Sequence, residues 1–176
     1  YDLALKYKDI LEQGKSARTL KFSEEEGKIA KDFFLLTNKP VLYICNVDEA
    51  SASTGNAYVE RLKAAISDED SEFLIIAAAT EADIAELESY EDKRMFLDEL
   101  GLDEPGVNKL IRLAYRLLKL QTFFTTGPDE SRAWTFVEGT KAPRAAGIIH
   151  TDFERGFIRA EVIKYDDYVK LGSEHA

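Results

Sequence analysis

The sequence has few residues that could cross-link the chain or anchor it in a membrane. Cys45 is the only cysteine among 176 residues, which excludes an internal disulfide and a cysteine-based metal site. The apolar run at residues 41–45, like every other apolar run in the sequence, is far shorter than the roughly 20 residues that span a bilayer. The first residues carry no secretory signal pattern. These absences predict a globular protein of the reducing cytoplasm without a membrane segment.

Positive charge is also scarce. The net charge is −10, which argues against nucleic acid as the partner of the whole surface, because phosphate neutralisation needs clustered Lys and Arg. The imbalance is uneven, since residues 105–176 hold eleven Lys or Arg against nine Asp or Glu and residues 1–104 have a net charge of −12. Residues 105–176 could therefore contact RNA locally, whereas the acidic residues 1–104 could not.

The first 37 residues have the pattern of a helical hairpin. Apolar residues spaced among charged ones favour a helix over residues 1–13 that Gly14 ends. The sequence SEEE at 23–26 is a capping box, and it predicts a second helix that runs to about Leu36. The charged faces of the two helices fit a solvated projection.

The composition then changes to alternating apolar strands and helices. Residues 41–45 form a continuous apolar run, typical of a parallel strand covered on both faces, and residues 73–76 form a second one. Helices are predicted over residues 55–66 and from residue 81. This alternation predicts a parallel sheet with right-handed crossovers, in which ligands bind beyond the carboxyl ends of the strands.

The remaining sequence predicts more helix and then a small α+β unit whose sheet is incomplete. Its β segments are bounded by turn residues and alternate in polarity. The predicted elements are helices over 94–100 and 107–120, a hairpin of strands 122–126 and 133–137 around the turn at 127–129, a helix over 141–149 and a strand over 157–163.

Asn46 and Glu49 directly follow the first predicted strand. An amide offers both a donor and an acceptor, and a carboxylate accepts from ring or exocyclic N–H groups, so the pair suits the edge of a purine. Asn and acidic residues are also common in turns after strands. The spacing alone therefore leaves ordinary turn residues as the alternative.

Longer motifs around this pair resemble the YchF/Obg-like ATPase family. The segment LLTNKPVLY at 35–43 leads into Asn46 and Glu49. In that family Asn-x-x-Glu replaces the Asn-Lys-x-Asp base-reading motif of ordinary GTPases, and the replacement goes with a preference for ATP over GTP. The further matching segments are EADIAEL at 81–87, FLDELG at 96–101, GTKAP at 139–143 and HTDFERGFIRAEV at 150–162.

The resemblance implies an α/β fold in three regions. Residues 1–37 would be the end of a helical coiled-coil insertion. Residues 38–121 would be the C-terminal part of a P-loop GTPase-like parallel sheet, and residues 122–176 a partial TGS domain, which is an α+β β-grasp. The chain is then expected to be a fragment of a longer ATPase.

The resemblance also implies part of a nucleotide site. Asn46, Val47 and Glu49 would contact the base, and Ala78 would offer a backbone N–H, because the loop AAA at 77–79 lacks the side chains of the family's Ser-Ala-Lys segment. The sequence contains no Gly-x-x-x-x-Gly-Lys-Ser/Thr. ATP or GTP, together with Mg²⁺, would thus need phosphate-binding residues of the longer protein, and no catalytic residue is expected within this chain.

Other candidate groups are expected to have structural or surface roles. His150 lies beside Asp152, but no nucleophile motif accompanies the pair. The acidic runs at 68–70 and 88–92 lack the alternating ligands and glycine of a calcium loop, so solvated charge is the better interpretation. His175 is close to the end of the chain.

Three hypotheses therefore remain open. The first is a ribosome-associated ATPase whose catalytic half lies outside this chain. The second is a non-catalytic module in which the TGS portion and the helical hairpin contact the ribosome or its RNA, since aromatic residues near basic ones can stack on and neutralise RNA. The third is an unrelated α/β domain. Core packing is the alternative role of the hairpin aromatics, which are Phe123, Phe124, Trp134 and Phe136.

Overall fold

The chain forms two units, residues 1–118 and 119–176. The computed structural model describes residues 1–69, 71–127 and 129–172. Within these ranges every helix is too short or too polar to cross a membrane.

The first unit begins with two helices, as predicted. Helix α1 spans Asp2–Glu12 and helix α2 spans Glu24–Ala30. The capping box is confirmed, because Ser23 accepts the N–H of Glu26 and Glu26 accepts that of Ser23. The predicted extension of α2 to Leu36 is wrong. Lys31–Phe33 tightens into a 3₁₀ turn, and the next residue takes a left-handed conformation with φ of 51° that ends the helix.

The inner faces of these helices build a small core of their own. Tyr7 lies at its centre, and its ring centroid is 5.6 Å from that of Phe22 and 5.1 Å from that of Phe33. The 3₁₀ turn therefore brings Phe33 onto Tyr7. The charged faces are exposed, and the apolar faces are only partly buried within this segment, since Leu5 and Ile29 remain 42% and 54% exposed. The buried members of the core are Leu3, Tyr7, Ala17 and Ala30.

A two-stranded parallel sheet follows. Strand β1, Leu42–Asn46, pairs with strand β2, Glu72–Ile76, so that Asn46 lies opposite Ile76. The predicted parallel pairing is confirmed. The helices of this region are α3 (Ala57–Ala65), α4 (Ala78–Glu86), α5 (Tyr90–Glu99) and α6 (Gly106–Leu117).

The sheet is covered less completely than predicted. Leu74 is buried, whereas Ile44 and Phe73 are 51% and 37% exposed. The prediction of strands covered on both faces is therefore wrong for these two positions. The reason is that only two strands pair within the described part of the first unit, so the sheet is too narrow to be enclosed.

A part-buried ion pair connects the helical segment to the sheet. Arg18 donates from Nη1 to Glu69 Oε2 at 3.2 Å and from Nε to the carbonyl oxygen of Lys39 at 3.0 Å. The hydroxyl of Tyr43 in β1 donates to the same Glu69 oxygen at 3.0 Å. The side chains of Arg18 and Glu69 are only 14% and 12% exposed. Three separate segments therefore meet at one carboxylate.

This pairing corrects the interpretation of the acidic run at 68–70. Glu69 is not part of a solvated charge run, because its carboxylate is part-buried in the ion pair with Arg18. Asp68 remains largely exposed beside Lys15, and Asp70 lies outside the described residues. The run at 88–92 has exposed acidic side chains, as predicted.

The second unit opens with the predicted hairpin. Strand β3, Leu120–Thr126, pairs antiparallel with strand β4, Ser131–Val137. Pro128 of the predicted turn lies outside the described residues. The helices that follow are α7 (Ala142–Ile149), α8 (Thr151–Arg155) and α9 (Tyr165–Leu171).

The strand predicted over residues 157–163 is wrong. The segment has no regular structure, and Ile158 and Val162 are 92% and 85% exposed. A strand needs a neighbour for its backbone hydrogen bonds, and no strand in the described ranges pairs with this one. Helix α9 was not predicted, although two acidic residues in its first turn and Gly172 at its end are ordinary helix signals.

We predict that Arg18→Ala destabilises the first unit by about 1–3 kcal/mol, because it leaves the part-buried Glu69 without its charged partner. Urea unfolding followed by circular dichroism measures the loss. The fluorescence of Trp134, the only tryptophan, reports the second unit and should not shift. Lys28→Ala is the control, since Lys28 pairs with Glu24 at an exposed site and should cost roughly 0.5 kcal/mol or less. Equal losses would contradict the prediction.

The Tyr43 hydrogen bond should make stability depend on alkaline pH. Burial first, and then the hydrogen bond and negative charge of Glu69, raise the pKa of Tyr43 above its usual value. A raised folded-state pKa contributes stability that is complete below the unfolded pKa of about 10 and is lost as pH rises through the folded value. The difference in unfolding free energy between the unmodified chain and Tyr43→Phe should therefore be constant up to about pH 9 and shrink as the pH rises above about 10. A constant difference would contradict this.

Candidate functional site

The carboxyl ends of β1 and β2 bring two predicted site residues together. Asn46 is the last residue of β1, and Ala78 begins helix α4 two residues after β2 ends. The N–H of Ala78 donates to Asn46 Oδ1 at 3.0 Å. Beside them, the N–H of Val47 donates to the carbonyl oxygen of Ile76 at 2.9 Å, which extends the strand pairing by one bond.

The bond from Ala78 fixes the orientation of the Asn46 amide. A backbone N–H can only donate, so the side-chain atom that faces it must be the oxygen. The Nδ2 group therefore points the other way, and Asn46 is exposed. No hydrogen-bond acceptor within the described residues meets Nδ2. The group that Asn46 offers to a ligand is thus a pair of N–H donors.

Glu49 occupies the turn after β1. It begins a short 3₁₀ helix, Glu49–Ser51, which Asp48 caps by accepting the N–H of Ser51 at 3.0 Å. The cap holds the backbone on either side of Glu49 in one conformation. The Glu49 side chain is exposed, and it forms no ion pair with any residue in the described ranges. Its carboxylate is therefore available as an acceptor.

The N-terminus of α4 is open to close approach. Ala77 and Thr80 are buried, whereas Ala78 and Ala79 are exposed. The first N–H groups of a helix have no partner within it. The N–H of Ala78, which the sequence suggested for the base, is donated to Asn46, so the next exposed residue along the turn whose N–H has no partner within the helix is Ala79.

Glu81 has a role that sequence reasoning missed. Its Oε1 accepts the N–H of Gly106 at 2.6 Å, and its Oε2 accepts the N–H of Val107 at 3.4 Å. Because Pro105 supplies no side-chain cap, Glu81 caps helix α6 from a distance of 25 residues in sequence. The segment EADIAEL at 81–87 resembles a family motif, but no local sequence pattern indicates that Glu81 contacts the start of α6.

Gly106 leaves little room for a side chain at this contact. A Cβ at this position would lie 2.8 Å from Glu81 Oε1 and 3.0 Å from Ile76 Cγ1, both closer than normal van der Waals contacts. Because Gly106 has no side chain, the start of α6 lies close to both β2 and the Glu81 carboxylate.

His150 has a structural role, as predicted. Its Nδ1 accepts the N–H of Asp152 at 3.2 Å, which caps helix α8. His175 lies outside the described residues. Across the described ranges, no group of three or more His, Cys, Asp or Glu could hold a metal ion. The described residues around Asn46 therefore contain no such cluster.

The hairpin aromatics lie on two faces. Trp134 donates from Nε1 to Thr125 Oγ1 at 2.9 Å, and the guanidinium of Arg132 lies 4.2 Å from the centre of its ring. On the same face, the ring centroids of Phe123 and Phe136 are 5.8 Å apart. Phe124 alternates to the opposite face and lies 5.7 Å from the ring of Tyr165 in α9.

Comparison with known proteins gives consistent matches. Residues 120–176 match the family YchF-GTPase_C, described as a protein of unknown function (DUF933). The chain is 47% identical over 174 residues to the ribosome-binding ATPase YchF of Bacillus subtilis, covering 98% of this chain and 47% of that protein. It is 40% identical to the Obg-like ATPase 1 of Rattus norvegicus, covering 100% of this chain and 45% of that protein.

A solved structure agrees with these matches. The Schizosaccharomyces pombe YchF GTPase superposes with a TM-score of 0.86 at 32% identity, over 99% of this chain and 47% of that one. The chain spans about half the length of the relatives that it matches. The similarity in sequence and in fold covers nearly all of this chain, and the chain therefore belongs to the YchF/Obg-like ATPase family.

Proposed function

We propose that this chain supplies the base-binding part of a ribosome-associated cytoplasmic ATPase that prefers ATP over GTP. The observation that carries the proposal is the hydrogen bond from Ala78 to Asn46, which joins the two loops after the parallel strands into one site. The names of the relatives, ribosome-binding ATPase and Obg-like ATPase, support the wider role. The third hypothesis, an unrelated α/β domain, is excluded by the family membership.

The same resemblance assigns the regions of the chain. We take residues 1–37 as the end of a helical insertion, residues 38–121 as the C-terminal part of the GTPase-like domain and residues 122–176 as part of a TGS domain. The phosphates of ATP and the Mg²⁺ that accompanies them would be held by residues outside this chain. What this chain contributes is selection and orientation of the base.

Base selection follows from the donors and acceptors that the site presents. The Asn46 Nδ2 group suits the N7 acceptor that adenine and guanine share and that pyrimidines lack. The Glu49 carboxylate suits the 6-amino group of adenine, which donates. Guanine has a carbonyl oxygen at that position, and two acceptors facing each other repel. Asn46 would thus select purines, and Glu49 would select adenine among them.

Glu49→Asp tests this assignment in a protein of the relatives' full length that contains this chain. The shorter carboxylate matches the reach of the Asn-Lys-x-Asp motif, so we expect the ratio of the GTP to the ATP dissociation constant to fall about three- to tenfold, where tenfold corresponds to about 1.4 kcal/mol. Isothermal titration with each nucleotide measures the ratio.

Glu86→Asp is the matched control. Glu86 is an exposed carboxylate in α4, away from the strand ends, so its substitution should leave the ratio unchanged. An unchanged ratio in Glu49→Asp as well would remove Glu49 from base reading.

A second candidate function is supported by the hairpin. The guanidinium of Arg132 stacked on Trp134 is an arrangement in which a nucleic acid base and a phosphate can both be contacted. The second unit would then be a non-catalytic module for the ribosome or its RNA. This function is compatible with the first one, because the two use different units of the chain.

Ribosome co-sedimentation of the full-length protein, with and without residues 122–176, tests the module. We expect the truncated protein to bind more weakly, and the binding of the intact protein to fall as salt rises. Arg132→Gln should weaken binding, whereas Arg155→Gln, an exposed control outside the hairpin, should not. Equal binding by the intact and truncated proteins would count against the module.

A further inference from the structure

The first turn of α4 lacks a cap of its own. Ala77 stands at the N-cap position, and its side chain cannot accept a hydrogen bond. Helices without a capping side chain fray at this end. Asn46 Oδ1 accepts the N–H of Ala78 at 3.0 Å, and a second contact steadies the same turn.

Glu81 provides that contact. It lies three residues after Ala78, on the same side of α4, and its half-buried carboxylate accepts two N–H groups at the start of α6. The negative charge also suits the positive N-terminus of a helix. Helix α6 approaches β2 so closely at Gly106 that a Cβ there would lie 3.0 Å from Ile76. The turn is therefore tied to the strand that ends beside Asn46.

We propose that Glu81 is a positioning residue for base recognition, acting through Ala78 on the orientation of the Asn46 amide. This inference rests on the proposed function of Asn46. Asn46 reads no base unless Nδ2 faces the ligand, and Nδ2 faces the ligand because Ala78 holds Oδ1. Without the Glu81 carboxylate the first turn of α4 is no longer held in place, and the Asn46 side chain can rotate. Nδ2 then no longer faces the ligand, and the preference for purines is lost.

The test is a double-mutant cycle in the full-length protein, with the ratio of the UTP to the ATP dissociation constant as the readout. UTP carries the same phosphates but lacks N7, so the ratio isolates recognition of the base. We expect Asn46→Ala and Glu81→Ala each to lower the ratio about three- to tenfold. In the Asn46→Ala background, Glu81→Ala should change it by less than about twofold.

Glu81→Gln keeps one carbonyl acceptor for Gly106, and it should give an intermediate ratio. It also keeps the test decisive if Glu81→Ala fails to fold. Glu86→Ala is the control on the same helix and should leave the ratio unchanged. A role confined to stability would lower the melting temperature of the Glu81 variants and leave their ratios at the value of the unmodified protein.

The outcomes separate this inference from the proposed function. If Asn46→Ala leaves the ratio unchanged, Asn46 does not read the base, and both are overturned. If Asn46→Ala lowers the ratio but neither Glu81 variant does, only the role of Glu81 is overturned. Glu81→Ala lowering the ratio equally in both backgrounds would likewise overturn it, because the effect would not pass through Asn46.

Discussion

The in-register pairing of β1 with β2 is the constraint on which the candidate site depends. Parallel strands end at the same edge of a sheet, so the loops that follow them are neighbours even though 32 residues separate Asn46 from Ala78. A shift of one residue in register would turn the Asn46 side chain to the other face of the sheet. The site is thus a consequence of strand pairing rather than of any local motif.

Carboxylates bind the first unit together despite its large excess of negative charge. Glu69 accepts hydrogen bonds from Arg18 and Tyr43, and Glu81 accepts hydrogen bonds from the first N–H groups of α6. Each accepts more than one hydrogen bond, which offsets the cost of removing a charged group from water. These two residues differ from the exposed acidic side chains only in what lies opposite them, so composition and net charge could not distinguish them.

Local signals predicted much of the fold because they act over a few residues. The capping box at Ser23, the apolar run of β1 and the hairpin of β3 and β4 were all predicted and all observed. The errors concern segments whose state depends on a distant partner. Helix α2 ends early where Phe33 meets Tyr7. Residues 157–163 alternate like a strand, but no strand in the part of the chain that the structure describes pairs with them.

The sequence by itself determined the family, the β-α-β order and the identity of Asn46 and Glu49, because motifs and periodicity are properties of neighbouring residues. The tertiary structure alone decided which way the Asn46 amide faces, that the Ala78 N–H is already donated, and that Glu81 caps α6. These are contacts between residues 25 or more positions apart. Hydrogen bonds have a direction and a length of about 3 Å, and only the folded chain brings such groups that close.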